Sequence, residues 1–178
     1  QYPKLLDKVQ ALSIAVPTPA HYKIARTCLS RGIHLLVEKP ITENLTQANQ
    51  LLKLAKKNRA ILQVGHVERF NAAISKVHSI LRKPRFIEVH RLAPFQPRGT
   101  DVGVVLDLMI HDIDLILWLV KSPVKRIEAV GLPVLTRHED IANARIVFKN
   151  GAVANLTTSR ISLRPMRKFR LFQSPLIQ

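Results

Sequence analysis

The sequence predicts an α/β protein in two parts: a doubly wound parallel sheet, then an α+β unit whose sheet is mainly antiparallel. Three observations carry this. Residues 9–64 read strand–helix–strand–helix–strand, with short apolar strands and amphipathic helices. After Gly65 the pattern changes to alternating apolar and polar runs around further helices. Asn150-Gly151, between two such runs, is a hairpin signal. The change of character divides the chain into domains at 1–66 and 67–178.

Val9 to Val16 is expected as a buried strand, ended by Pro17-Thr18-Pro19. A helix from about His21 to Ser30 pairs Ile24 with Cys28 and Ala25 with Leu29, and Gly32 stops it. Ile33 to Val37, a continuous apolar run between Gly32 and Pro40, predicts a strand buried on both faces. Thr42 is the expected N-cap of the next helix, with Glu43 in its first turn, Leu45, Ala48, Leu52 and Ala55 on one face and Lys56 and Lys57 at its end. Ile61 to Val64 is a third strand. This is the later half of a dinucleotide fold, because no glycine-rich turn precedes it and none of the six glycines forms G-x-G-x-x-G.

In the second part Phe70, Ile74, Val77 and Leu81 mark a helix broken by Pro84, and Phe86 to Arg91 alternates as a half-exposed strand. Residues 92–103 are a loop expected over a site. A helix is predicted over Leu106 to Val120, and strands over Arg126–Gly131, Ile141–Phe148, Ala152–Ser159 and Lys168–Phe172.

Two stretches carry chemistry. Glu38-Lys39-Pro40 ends the second strand, where open α/β sheets bind ligands. Pro40 drives Lys39 out of the helical region and is a candidate for a cis peptide, so backbone geometry aims the amine. The alternative is a solvated turn. Asp107, His111 and Asp114 fall on one face if 106–120 is a regular α-helix, with Asp112 rotated away. A carboxylate one turn from an imidazole orients it and raises its basicity, as a general base needs. The alternative is a solvated polar face opposite Leu108, Leu115 and Leu119. No third ligand completes a metal site, so no metal is expected.

Composition narrows the classes. The 28 Lys+Arg against 12 Asp+Glu give a net charge of +16, a field that attracts dinucleotides, sugar nucleotides and polyanions alike. Aromatics are only 5%, thin for a base-stacking surface, so nucleic acid is not the expected partner despite the basic cluster at 160–170. Cys28 is the single cysteine, so no internal disulfide or multi-cysteine zinc site can form. No run reaches bilayer length and no secretory signal is visible, so the expectation is a cytoplasmic protein without a membrane partner.

Pro17-Thr18-Pro19-Ala20-His21, Glu38-Lys39-Pro40, Val64-Gly65-His66 with Arg69-Phe70, and Asp107-x-x-x-His111-x-x-Asp114 resemble, in order and rough spacing, the Gfo/Idh/MocA oxidoreductases. The likeness runs to about Gln173. It implies part of an NAD(P)-binding Rossmann domain followed by part of a substrate and dimerisation domain with an open antiparallel sheet. The stretches QVGHVERFN (63–71) and VVLDLMIHDID (104–114) look most like the branch that oxidises the 3-hydroxyl of UDP-N-acetylglucosamine on a route to amide-linked lipid A. The resemblance makes Lys39 the amine that hydrogen-bonds the reacting hydroxyl. His111 becomes the general base, alone or shared with Lys39, and Asp107 orients His111 or holds a sugar hydroxyl. Val16, Pro17, Thr18, His21, Glu38 and Lys39 would line the cofactor, His21 with the weakest claim as a local helix cap. His66, Arg69, Asp107 and Asp114 would border the substrate. The implied cofactor is NAD. NADP stays open, because the deciding residue belongs to the absent opening βαβ portion. The implied partners are a sugar-nucleotide substrate and, when complete, further copies of the chain.

Two other readings stand beside this one. The first is a non-catalytic relative or remnant, since folds outlast activities and the glycine-rich loop is missing. The second is a polyanion binder built on the 160–170 cluster.

Overall fold

The computed structural model describes residues 2–97 and 99–173. Arg98, within the expected 92–103 loop, and residues 174–178 of the second expected domain lie outside the described residues. The chain divides into two units, Gln1–His66 and Val67–Gln178.

The first unit is a three-stranded parallel sheet in the order β1-β2-β3, formed by β1 (Ala11–Ile14), β2 (His34–Val37) and β3 (Leu62–Val64). Helix α1 (Thr18–Ser30) crosses between the first two strands and α2 (Leu45–Lys57) between the last two. The sequence places the start of α1 three residues late. Proline at its first positions suits helical geometry because the missing N–H is one that a helix start leaves unpaired anyway. Asn44, rather than Thr42, caps α2, its side chain accepting from Gln47 N at 3.0 Å. Thr42 is buried and donates to Asn44 O, and Glu43 precedes the helix instead of sitting in its first turn.

The expectation of two-sided burial fails. Leu35 and Val37 are buried, but Leu36 between them is 42% exposed, and β1 buries only Ile14. The reason is the crossovers. Ala25, Cys28 and Leu29 of α1 and Leu51 and Ala55 of α2 share one core with Ile14, Leu35 and Val37, so both helices cover the same face. Each fully buried Leu there contributes about 2 kcal/mol. Cys28 is inside that core, where burial pushes its thiol up against the opposing charge of Arg31.

The second unit is a five-stranded sheet in the order β5-β6-β7-β4-β8. Its strands are β4 (Pro84–Leu92), β5 (Val124–Leu132), β6 (Ile141–Phe148), β7 (Val153–Ser159) and β8 (Met166–Gln173). Only β4 and β7 run parallel, the other neighbours being antiparallel. Asn150-Gly151 makes the β6–β7 turn, with Gly151 at φ +84° and Asn150 Oδ1 accepting from Ala152 N. Helix α3 (Ala72–Ile80) is capped by Asn71, and α4 (Ile110–Val120) packs Ile116 and Val120 onto Ile87, Val89, Ala144, Ile146 and Leu156. The helix expected from Leu106 is not regular. Val105–Met109 is a π-helical turn, in which Ile110 N bonds Val105 O, and the α-helix begins after it.

Three of the five cations in the 160–170 cluster are paired with carboxylates, while Arg164 and Lys168 are exposed. Arg160 is 4% exposed and paired with Asp140. Arg167 pairs with Glu68 and Arg170 with Glu88. No helix among the described residues is long and apolar enough to cross a membrane.

Candidate functional site

In the first unit the parallel register aligns Ile14, Val37 and Val64, and Glu38 N and Gly65 N continue the ladder to Ile14 O and Val37 O at 2.9 and 2.8 Å. The turns that follow therefore leave the sheet together at its carboxyl end: Val16-Pro17-Thr18, Glu38-Lys39-Pro40 and Gly65-His66. This is the end at which open parallel sheets hold ligands. Lys39-Pro40 is cis. Glu38, Lys39 and His66 are half-buried, Thr18 is buried, and Val16 is 40% exposed.

His21 does not cap its helix. Its ring is buried between two backbone carbonyls, Nδ1 at 2.8 Å from Pro40 O and Nε2 at 2.8 Å from Val16 O. It thus ties the first turn to the second and acts on both through the backbone. Gly65 is needed for a close approach: a Cβ there would stand 3.1 Å from a Glu38 carboxylate oxygen. The half-buried Glu38 carboxylate, close against Gly65, can accept hydrogen bonds from a ligand's hydroxyl groups, and the exposed Val16 offers an apolar contact at the same end of the sheet.

In the second unit the π-helical turn sets Asp107. Its N–H donates to Gly103 O at 3.0 Å, and the turn is anchored by Val104 N to Glu139 O at 2.9 Å. Gly99, at φ +78°, lies over it so closely that a Cβ would meet Asp107 Oδ2 at 3.0 Å. Asp107 and His111 are half-buried, within reach of a ligand. The intervening π geometry means that Asp107 and His111 are not the successive turns of a regular α-helix that their spacing implies.

The flanking acids are not a solvated face. Asp112, which the spacing turned away, is buried and receives two hydrogen bonds from Arg91 at 2.6 and 2.7 Å. Asp114 is also buried and receives two from Arg69 at 2.7 and 2.5 Å, so its carboxylate is engaged by an arginine also assigned to the substrate. The Arg69 guanidinium lies 5.9 Å from the Trp118 ring centre. Burial pushes the Glu68 carboxyl up. The hydrogen bond and charge of Arg167 outweigh that, helped by Arg91 and His111, and the group titrates below the usual carboxylate range. His111 thus stands in a lattice of paired charges.

Sequence reasoning missed Glu68, Arg91, Asp112, Arg167, and the buried pair Arg160–Asp140. With 28 cations for 12 anions, the partner of any one acid is not readable from spacing. Among the described residues no group of three or more His, Cys, Asp or Glu could hold a metal ion.

Residues 1–66 match the family model described as an oxidoreductase family with an NAD-binding Rossmann fold, and residues 73–173 match the GFO/IDH/MocA C-terminal domain. The UDP-N-acetylglucosamine 3-dehydrogenase of Acidithiobacillus ferrooxidans is 40% identical over 169 residues, which cover 94% of this chain and 54% of that protein. The myo-inositol 2-dehydrogenase of Thermotoga maritima is 27% identical, over 85% of this chain and 50% of its own length. A solved structure of the Acidithiobacillus enzyme superposes with a TM-score of 0.89 at 39% identity, over 97% of this chain and 57% of that one. An inositol dehydrogenase homologue from Azotobacter vinelandii, solved with NADH and myo-inositol, shares the fold at TM-score 0.88 and 22% identity, over 98% and 53% of the two chains. The chain spans about half the length of the curated relatives it matches.

Proposed function

Because the chain belongs to the Gfo/Idh/MocA oxidoreductase family, its first 66 residues matching the NAD-binding Rossmann domain, we propose that it serves an NAD-dependent sugar-nucleotide dehydrogenase. The substrate group is the C3 hydroxyl of UDP-N-acetylglucosamine, which would be oxidised to the ketone. The observation that carries the substrate is the 40% identity to an enzyme named for that reaction, over 94% of this chain. Lys39, held on its cis peptide at the carboxyl end of β2, hydrogen-bonds the reacting hydroxyl. Its positive charge stabilises the oxygen as negative charge develops there, an effect of about 3 kcal/mol. His111 accepts the hydroxyl proton, and Asp107 holds a neighbouring sugar hydroxyl or orients the ring. Glu38 and the Val16–Thr18 turn hold the nicotinamide ribose. When bound, the cofactor supplies the hydride acceptor.

The test is a UDP-N-acetylglucosamine-dependent assay of NADH formation, with NADH fluorescence titration on the same folded sample. Lys39→Ala should abolish turnover and leave NADH affinity within about twofold. His111→Ala should lower turnover about a hundredfold at neutral pH, with partial recovery in alkali. Full rate in His111→Ala at neutral pH removes His111 as the base. Folded protein that binds no NADH defeats the reading.

A further inference from the structure

A cavity of about 360 Å³ lies within the second unit, outside the residues assigned to the reaction. One wall is the loop after β4, with Phe95, Pro97 and Thr100, and the other is the β5–β6 turn, with Thr136, Arg137 and His138. The walls are cross-linked underneath by a buried charged pair. Arg160 donates through Nη1 to Gly99 O and Val102 O at 3.0 and 2.9 Å, and through Nη2 to Thr136 Oγ1 at 2.8 Å. Its Nε donates to Asp140 Oδ1 at 2.7 Å. Asp140 Oδ2 in turn collects the N–H groups of Val134, Leu135 and Thr136 at 2.7 to 2.8 Å. Arg160 and Asp140 are 4% and 0% exposed. A buried ion pair is weak evidence for stability as such, but it does fix geometry, and here it fixes the two loops that border one cavity.

The contents of the walls suit one ligand chemistry. Phe95 is 40% exposed and offers a ring face on which a base can stack. Arg137 and His138 are exposed on the opposite wall. Arg69, Arg91, Arg160, Arg167 and Arg170 of this unit are all paired with carboxylates. Arg137 has no such partner among the described residues, so its fork is available to a phosphate. The cavity also adjoins the candidate reaction centre. Thr100 lines it, and a Cβ on the preceding Gly99 would stand 3.0 Å from Asp107 Oδ2. A molecule held here by a base and a diphosphate would extend its far end toward Asp107.

We propose that this cavity is the subsite for the nucleoside diphosphate half of the substrate, with Phe95 stacking on the base and Arg137 and His138 holding the diphosphate. The assignment rests on the sugar-nucleotide reading and explains how a chain of this family would select a nucleotide-linked sugar over a free polyol.

The test is calorimetric titration of the full chain with UDP, inorganic pyrophosphate and uridine at near-physiological salt. Arg137→Gln should weaken UDP and pyrophosphate at least tenfold, and Phe95→Ala should weaken UDP and uridine similarly while sparing pyrophosphate. Arg85→Gln, an exposed charge on β4, should move UDP less than twofold. UDP affinity unmoved by Arg137→Gln and Phe95→Ala, or weakened equally by Arg85→Gln, overturns the subsite, as does folded chain that binds no UDP. UDP binding that depends on Arg137 and Phe95 without oxidation of any sugar nucleotide keeps the subsite and removes the reaction. Oxidation of UDP-N-acetylglucosamine with UDP affinity unchanged in both variants keeps the reaction and removes the subsite.

Discussion

Replacing Arg160 with methionine takes a guanidinium from the interior and leaves its partner behind. The Asp140 carboxylate would stay fully buried with its backbone donors but without a counter-charge, while Gly99 O, Val102 O and Thr136 Oγ1 lose their donor. Breaking a buried pair from one side costs about 3 kcal/mol or more, because the remaining charge is uncompensated. Trp118, the single tryptophan, lies on α4 in the same unit, so urea unfolding followed by its fluorescence reports the loss directly. The pH dependence adds a second constraint. Burial alone would raise the Asp140 carboxyl, but the N–H groups of Thr136, Val134 and Leu135 together with Arg160 hold it far below its ordinary value. A depressed carboxyl stabilises the fold at every pH above its unfolded value, near 4, and loses that contribution as pH falls further. The gap between the native protein and Arg160→Met should therefore be full at pH 7 and narrow below about pH 4. Adding Asp140→Asn to Arg160→Met should restore part of the loss by removing the stranded charge. A loss under about 1 kcal/mol at pH 7, or a gap constant from pH 7 to pH 3, refutes the reasoning.

His21→Phe removes both bonds from the imidazole to Val16 O and Pro40 O, so the first unit should lose about 2 kcal/mol and NADH should bind more weakly; an unchanged circular-dichroism midpoint would contradict this. Gly99→Ala places a side chain at φ +78° and 3.0 Å from Asp107, so turnover should fall at least tenfold while NADH affinity holds. Equal turnover would show that Asp107 need not stay where it is. Leu36→Lys lies on the uncovered sheet face, where stability should change by no more than about 0.5 kcal/mol; a loss above 2 kcal/mol would mean that the face is covered in solution.

Periodicity made most elements legible. The β6 and β7 strands and their Asn-Gly turn were visible because alternation and turn chemistry are local, and α1 and α2 because their apolar faces recur every three or four residues. The one-sided burial of β2 was not, since a run such as Leu35-Leu36-Val37 has the same letters whether one face or two are covered. The Glu38-Lys39-Pro40 turn was legible because proline and strand end coincide in sequence. The charged lattice of the second unit was not. Arg91–Asp112, Arg69–Asp114 and Arg160–Asp140 join residues 21, 45 and 20 positions apart, and only the sheet and its loops bring them together. The wide turn at Asp107 was not legible either, because a single π-helical turn has no periodic signature in five residues.

That wide turn amounts to one residue more than an α-helix needs over Val105–Met109. Its removal would not break the helix. A one-residue deletion there can relax to ordinary i→i−4 pairing while α4 keeps its grip on the sheet. The bond from Ile110 N to Val105 O would then span four residues instead of five, so both flanks would keep their places and only the residues of the turn would move. A single codon lost or gained here therefore acts on Asp107 and its immediate neighbours alone, leaving the sheet and the rest of the helix where they are.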